Sequence, residues 1–198
     1  MKQKIINLYE FHELSHEQQE KVINNNRFIN DDDFELYVSD EFCMGEIWES
    51  GFIDAQPNYS LNYSQGDGAC FDCDEFDFDL LLKDWQHKHK NWIINIIKDF
   101  CSCEISRNHF ATYYCHSKTR YFEINTYQVE GNYTDRKHII EAIQDADNYI
   151  ENLRYELSKN LTARLYEQLE WLRDDEQIKE TLISNEYYFN GDTLEIEY

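Results

Sequence analysis

Acidic side chains are concentrated in one short segment of the chain. Residues 72–79 contain five of them: Asp72, Asp74, Glu75, Asp77 and Asp79. On a β-strand, alternate side chains share a face at a spacing of about 6.6–6.8 Å. A row of carboxylates on that face would resemble a row of nucleic-acid phosphates, which advance by about 3.4 Å per nucleotide along the axis. The segment, with Asp67 and the run Asp31, Asp32 and Asp33, is therefore predicted to bind a basic protein surface as a phosphate mimic.

The charge is segregated along the chain. The net charge is −22, and residues 28–82 contain 15 Asp or Glu and no Lys or Arg. Residues 83–173 are neutral, whereas residues 174–198 have 8 acidic and 1 basic side chains. A field of one sign repels nucleic acids and anionic membranes and attracts basic proteins. We expect a basic protein partner, with no direct nucleic-acid binding and no membrane association.

Metal binding is an alternative use of the same residues. The carboxylates of 72–79 offer hard oxygen ligands for Ca²⁺ or Mg²⁺, but the segment lacks the Gly and Glu positions of an EF-hand loop. Cys70 and Cys73 have zinc-ligand spacing. Further zinc ligands would have to come from Cys101, Cys103, Cys115 and His116. The second cysteine pair is CxC rather than CxxC, so we expect no metal and no cofactor.

A glycine-containing turn precedes the acidic segment. Its residues are Ser64, Gln65, Gly66, Asp67 and Gly68. Glycine readily adopts the positive φ that such a turn requires. The alternative is a small polar pocket in which Asp67 and His116 act on a nucleotide or a protein. No P-loop, nucleophile elbow, HExxH or dinucleotide motif occurs, and the sequence therefore favours a non-enzymatic protein.

Helical signals occupy both ends of the chain. Ser15 is a candidate N-cap with capping-box spacing to Gln18, which predicts a helix to about residue 28. The acidic run 31–33 suits the positive end of a second helix over about 34–48. Apolar residues recur every three or four positions over 139–172, which predicts one long helix or two joined near Asn160. A shorter helix over 174–184 and a final strand over 194–198 follow.

Strand signals occupy the middle of the chain. Alternating side chains predict a strand over 59–63, a second strand from Ala69 through Leu80, and two or three strands over 103–129. Helical spacing predicts a helix over 82–100. The fold class is therefore α+β, an antiparallel sheet flanked by helices, with a long C-terminal helix or helical hairpin. No linker is visible, so residues 1–198 are expected to form a single compact domain.

The cellular location is predicted to be the cytoplasm. The first 20 residues contain no apolar signal-peptide core, and no stretch approaches 18 consecutive apolar residues. The six cysteines are therefore expected to be free thiols in a reducing compartment.

Several stretches resemble a family of small proteins encoded by tailed phages and prophages. The most specific is Ser64–Phe71, read as SQGDGACF. Similar stretches occur at 8–15, Tyr114–Ser117, 165–170 and 185–189. The resemblance implies a phage-borne cytosolic protein with an α+β fold, a strand at 114–117 and no catalytic residues. Some members of that family are loosely labelled antitoxins.

The charge and the resemblance together predict a phage-type acidic inhibitor. Its target would be a host nucleic-acid-handling defence complex, such as a CRISPR effector or a restriction system, blocked by nucleic-acid mimicry. Two alternatives remain: a small enzyme that acts through Asp67 and His116, and an antitoxin-like protein that forms a homodimer through 139–172.

Overall fold

A computed structural model of the chain describes residues 7–38, 41–108, 114–132 and 136–197. The strands are β1 (Leu8–Glu10), β2 (Gln56–Ser60), β3 (Gly68–Asp72), β4 (Ser102–Arg107), β5 (Arg120–Asn125), β6 (Tyr188–Asn190) and β7 (Ile196–Glu197). The helices are α1 (His16–Asn25), α2 (Asp31–Val38), α3 (Glu41–Glu49), α4 (Phe78–Leu81), α5 (Lys90–Phe100), α6 (Tyr127–Asn132), α7 (Arg136–Leu172) and α8 (Asp175–Ser184). The fold is α+β with small antiparallel sheets and a long C-terminal helix, as predicted.

The chain divides into two compact units. Unit 1 comprises Met1–Tyr37 and Glu167–Tyr198, and unit 2 comprises Val38–Tyr166. The prediction that residues 1–198 form a single compact domain is not tested by this division, and it stays a prediction.

Unit 1 contains the antiparallel sheet β1-β6-β7 together with α1, α2 and α8. Its core consists of Phe11, Leu14, Val22, Ile178, Leu182 and Phe189. The predicted capping box is confirmed, because Ser15 Oγ accepts the N–H of Gln18 at 3.4 Å and Gln18 Oε1 accepts the N–H of Ser15 at 3.0 Å. Helix α1 ends at Asn25, a little before the predicted end.

The second predicted helix begins earlier than expected. Asp31, Asp32 and Asp33 form the first turn of α2 instead of preceding it, and their charges suit the positive end of the helix. The range 34–48, predicted as one helix, contains most of α2 and most of α3. Residues 39–40, between them, lie outside the described part.

The strands β2 and β3 of unit 2 pair as an antiparallel hairpin from Gln56 opposite Asp72 to Ser60 opposite Gly68, and β3 is buried over its first four residues. The predicted strand from Ala69 through Leu80 is wrong beyond Asp72, because Phe78–Leu81 is the short helix α4. Asp77 starts that helix: its Oδ1 accepts the N–H groups of Asp79 at 2.9 Å and Leu80 at 3.3 Å. Helix α5 begins at Lys90, later than the predicted start at 82.

The strands β4 and β5 pair as an antiparallel hairpin from Ser102 opposite Asn125 to Arg107 opposite Arg120. Two parts of the strand prediction are wrong. The residues after Asn125 turn into helix α6, and residues 114–117 form no strand. Instead, the carbonyl oxygen of His116 accepts the N–H of Thr119 at 2.9 Å and its hydroxyl at 2.7 Å, which closes a turn. Residues 109–113 lie outside the described part.

Helix α7 is one continuous helix of 37 residues, so the chain contains the long helix and not a hairpin broken near Asn160. The residues of its predicted seam that are buried are Ile139, Ile143, Ala146, Ile150, Leu157, Leu161, Leu165, Leu169 and Leu172. Helix α8 starts one residue after the predicted helix. The predicted last strand is the short β7, and Tyr198 lies outside the described residues.

The sequence also predicts that no segment spans a membrane and that the cysteines are free thiols. No helix in the described ranges is both long enough and apolar enough to cross a membrane. All six cysteines are free thiols.

Candidate functional site

The turn between β2 and β3 is closed by a carboxylate. Asp67 Oδ1 accepts the hydroxyl of Ser60 at 2.6 Å, and Asp67 Oδ2 accepts the N–H of Ser64 at 2.6 Å. These bonds, first that from Ser60 and then that from Ser64, hold the pKa of Asp67 below its usual value. Asp67 is therefore an ionised group whose oxygens are used inside the turn.

The glycines of the turn allow residues 114–116 to pack closely against it. Gly66 has φ +96°, and a Cβ placed there would lie 2.1 Å from Cδ1 of the Tyr114 ring. A Cβ on Gly68 would lie 3.1 Å from the Cβ of His116 and from the carbonyl oxygen of Cys115. The structure thus brings His116 to the motif turn.

Replacing Gly66 with Ala is expected to lower the free energy of unfolding by about 2 kcal/mol, because the backbone is strained for an L side chain and the Tyr114 ring must move. Urea denaturation measures the change. The matched control is Gln65→Ala, an exposed residue of the same turn, for which about 0.5 kcal/mol or less is expected. Equal stability of the two variants would show that the packing of Tyr114 on the turn is wrong.

His116 is half-buried beside this turn. Its ring stacks on Tyr114 with centroids 6.3 Å apart, and its Nδ1 accepts the N–H of Lys118 at 3.2 Å. Burial, and then the charge of Lys118, lower the pKa of His116, so the imidazole is neutral at pH 7. Asp67 and His116 share no hydrogen bond in the described structure, so the pair does not form a hydrogen-bonded acid–base dyad.

Exposed tyrosines surround the same turn, and the sequence analysis did not single them out. Tyr63 is 64% exposed and has φ +57°, an unusual conformation for an aromatic residue. Its ring lies 5.1 Å from that of Tyr166, and Tyr114 is 45% exposed. Tyr63 is close to the turn in sequence. Its ring contact with Tyr166 joins residues more than 100 positions apart, so no local sequence pattern could predict it.

Asp72 is half-exposed, and it pairs with a buried arginine of unit 2. The ion pair with Arg120 is bidentate: Arg120 Nε donates to Asp72 Oδ1, and Arg120 Nη2 donates to Asp72 Oδ2 at 2.9 Å. The side chain of Arg120 is only 2% exposed. The amide of Asn58 also donates to Asp72 Oδ2 at 2.9 Å. Burial raises the pKa of Asp72, but the bonds and charge of Arg120, with Asn58, outweigh it and hold that pKa low.

Other predicted acidic residues also have partners within the chain. Asp79 pairs with Lys98 at 2.6 Å, and Asp31 pairs with Arg173 at 2.7 Å. Asp77 caps α4. The predicted row of carboxylates on one strand face is therefore not formed, because β3 ends at Asp72 and the following residues turn.

Four predicted carboxylates are exposed and have no side-chain partner among the described residues: Asp32, Asp33, Asp74 and Glu75. The backbone N–H groups of Asp74 and Glu75 are bound by Asp54 Oδ1 at 2.9 and 2.8 Å. Asp54 was missed by sequence reasoning because nothing local distinguishes it from other surface acids. The partner-binding role of the predicted acidic residues stays a prediction.

The cysteines next to the acidic segment are protonated thiols. Burial, followed by the hydrogen bond to Asp54 at 3.0 Å, raises the pKa of Cys73 to about 12, and burial also raises the pKa of Cys70. Within the described ranges, no group of three His, Cys, Asp or Glu residues is placed to hold a metal ion. The expected absence of a metal stays a prediction, which elemental analysis of the purified protein would test.

Comparison with known proteins identifies one family. A family model described as Domain of unknown function (DUF8835) matches residues 47–178, about two thirds of the chain, and the chain therefore belongs to that family. No curated protein and no solved structure matches the chain. The matched range includes the motif turn, the Asp72–Arg120 pair and all of α7.

Proposed function

We propose that this member of the DUF8835 family is a phage-type acidic inhibitor that acts in the host cytoplasm. It would bind a nucleic-acid-handling defence complex of the host, such as a CRISPR effector or a restriction complex, and mimic the nucleic acid. The observation that carries this proposal is the charge of unit 1. Its 69 residues include 18 acidic and 6 basic ones, a net charge of −12, whereas the 129 residues of unit 2 have −10.

Helix α2 presents part of this charge on an exposed surface. Asp32, Asp33 and Glu35 are exposed, and Leu36, which follows Asp32 by one helical turn, is 71% exposed. We call these four residues the α2 surface. Carboxylates beside an exposed apolar side chain can provide both attraction to a basic protein and apolar contact area.

The proposed mechanism is competition. Carboxylates of the inhibitor would occupy Arg and Lys positions that normally hold phosphates, so that the target could not bind its DNA or RNA. The long-range field of a strongly acidic unit would speed the encounter with a basic channel. Exposed tyrosines such as Tyr63 would supply contacts of the kind that stacked bases make in single-strand-binding grooves.

The first test is capture of a target from host lysate on immobilised protein at low and high salt. Binding should weaken strongly from 0.1 M to 1 M salt, because the Debye length falls from about 10 Å to about 3 Å. The captured target should also lose nucleic-acid binding in proportion to bound inhibitor. Salt-independent capture, or a target that holds nucleic acid and this protein together, would contradict the proposed competition.

A charge-matched pair of variants tests the α2 surface. The first variant combines Asp32→Asn, Asp33→Asn and Glu35→Gln, and its association rate constant with the captured target should fall about tenfold at 0.1 M salt. The control removes three exposed charges elsewhere in unit 1, through Glu180→Gln, Asp192→Asn and Glu195→Gln. Equal rates for the two variants would mean that total charge, and not the α2 surface, directs binding.

The alternative of a homodimer through 139–172 also stays a prediction. The apolar seam of α7 is largely buried within the single chain, so a dimer would have to use the other side of the helix. Light scattering distinguishes the monomer from the dimer. The alternative of an enzyme would require that His116→Ala abolish turnover while target binding persists.

A further inference from the structure

A polar cavity of about 290 Å³ lies in unit 2, between the end of β5 and α7. Its polar lining consists of Glu123, Asn125, Thr126, Tyr127, Gln144 and Asp147. Two of these side chains are carboxylates, and none of the lining residues is Lys, Arg or His. The volume is at the small end of the range for ligand sites, which suits a small polar ligand.

Asp147 is held rigidly in this lining. Its Oδ1 accepts the N–H of Ile124 at 2.9 Å, and its Oδ2 accepts the amide of Gln144 at 3.0 Å. One helical turn later, Glu151 Oε2 accepts the N–H of Phe122 at 2.8 Å. The two carboxylates of α7 thus bind backbone donors on the edge of β5 where no further strand of the described ranges pairs. A carboxylate has about four acceptor positions, so Asp147 keeps acceptor capacity for a ligand in the cavity.

Three other half-buried carboxylates of unit 2 are paired with guanidinium groups. Glu151 pairs with Arg154 at 2.6 Å, Asp72 with Arg120, and Glu46 with Arg164. Asp147 has no basic partner in the described part of the chain. Burial, reinforced by the charges of Glu123 and Glu151, raises the pKa of Asp147 despite its two hydrogen bonds. Among the described residues, the negative charge of the cavity therefore has no basic counter-charge.

We propose that this cavity binds an organic cation with a guanidinium or primary ammonium group. Asp147 and Glu123 provide the counter-charges, and a guanidinium matches the two oxygens of a carboxylate with its planar fork of N–H donors. The carboxamide oxygen of Asn125 and the hydroxyl of Thr126 are further acceptors in the lining. This site is separate from the α2 surface and goes beyond the proposed inhibitor function.

The direct test is calorimetric titration of the full-length protein with agmatine, which carries both cationic groups. One saturable site is expected. Asp147→Asn should weaken binding about tenfold or more, because a charge-assisted hydrogen bond is lost. The asparagine oxygen can still accept the N–H of Ile124, so the fold should persist, which a thermal melt checks. The matched control is Glu141→Gln, which removes an exposed charge of the same helix outside the cavity lining and should change binding by about twofold or less.

A second readout follows protonation. The carboxyl ¹³C signal of Asp147 should titrate at lower pH with agmatine present, because a nearby cation favours the charged carboxylate. Agmatine binding should in turn disappear as the pH falls through the pKa of Asp147. Glu123, Glu151, Tyr127 and Cys103 are the other titratable groups around this carboxylate, and the carboxyl signal of the exposed Glu141, outside the cavity lining, serves as the internal reference.

The source of the cation is distinguished by a tripeptide with blocked termini, in which the central Arg is the one charged group. Tighter binding than agmatine would identify the arginine side chain of a protein, and weaker binding would identify a free small cation. Either result supports the cationic site. Absence of a saturable heat with both probes, or equal agmatine affinities for the wild type and Asp147→Asn, would overturn the proposal.

Discussion

Replacing Asp72 with Ala is expected to lower the free energy of unfolding by about 3 kcal/mol, although Asp72 lies in a segment whose sequence suggests a solvated acidic surface. The guanidinium of Arg120 would remain buried without a counter-charge. Its Nε and Nη2 lose their acceptors, and its Nη1 already has no hydrogen-bond partner among the described residues. A buried charge without partners costs far more than an exposed one.

The control for this experiment is Asp74→Ala, two residues along the same segment. Asp74 is exposed and its side chain has no partner in the described structure, so a change of about 0.5 kcal/mol or less is expected. Urea denaturation of both variants at pH 7 provides the comparison. Equal and small effects would mean that the Asp72–Arg120 ion pair does not stabilise the fold.

The effect of Asp72 should depend on pH in a defined direction. The pKa of Asp72 is lowered in the folded protein, so its contribution to stability is present above the pKa of the unfolded chain. That contribution is lost as the pH falls through the lower, folded pKa. The stability difference between the wild type and Asp72→Ala should therefore shrink in acid, and a constant difference would contradict the ion-pair interpretation.

The role of Asp72 in the fold affects how phosphate mimicry can be tested. Joint replacement of Asp72, Asp74, Asp77 and Asp79 would remove the counter-charge of the buried Arg120, a helix cap and a surface ion pair as well as exposed charge. Any loss of binding by that variant would be mixed with a loss of stability. The α2 surface avoids this difficulty, because Asp32, Asp33 and Glu35 are exposed.

Replacing Arg154 with Leu is expected to cost about 3–5 kcal/mol, the largest effect of a single substitution proposed for this chain. Its side chain is 1% exposed and donates to Glu151 at 2.6 and 2.7 Å. It also donates to the carbonyl oxygen of Ser117 at 2.9 Å, which ties α7 to the turn before β5. Leucine fills much of the volume, but it leaves Glu151 without a counter-charge and with the N–H of Phe122 as its remaining donor, and it leaves the Ser117 carbonyl without the guanidinium donor.

Arg164→Leu is the matched control on the same helix. Arg164 is 37% exposed and pairs with Glu46 at the edge of unit 2, so a cost of about 1 kcal/mol or less is expected. Denaturation measures both variants, and amide exchange at Phe122 gives a local readout because Glu151 accepts that N–H. Similar losses of unfolding free energy for the two variants, with unchanged amide exchange at Phe122, would show that the hydrogen bonds of Arg154 do not stabilise the fold.

Local sequence signals determined much of the helical structure. The capping box at Ser15 and Gln18 involves residues three apart, and the seam of α7 repeats every three or four residues, so both can be read without knowledge of the rest of the fold. The acidic character of the chain is likewise a property of composition alone. The segment 72–79 shows the limit of such reasoning. Alternating carboxylates suit a strand face, but an Asp before an apolar run also suits a helix cap, and Asp77 takes that second role.

Only the tertiary structure decided which charges are compensated. Arg120 meets Asp72 across 48 residues of sequence, and Arg173 meets Asp31 across 142. The same folding leaves Asp147 half-buried in a cavity, with no basic partner among the residues that the structure describes. A count of charges gives the sign of the field around this protein, but the energy of each carboxylate depends on burial and on partners far away in the chain. For that reason the sequence determined that the protein is strongly acidic, and the fold decided which of its acidic groups are paired and which are exposed.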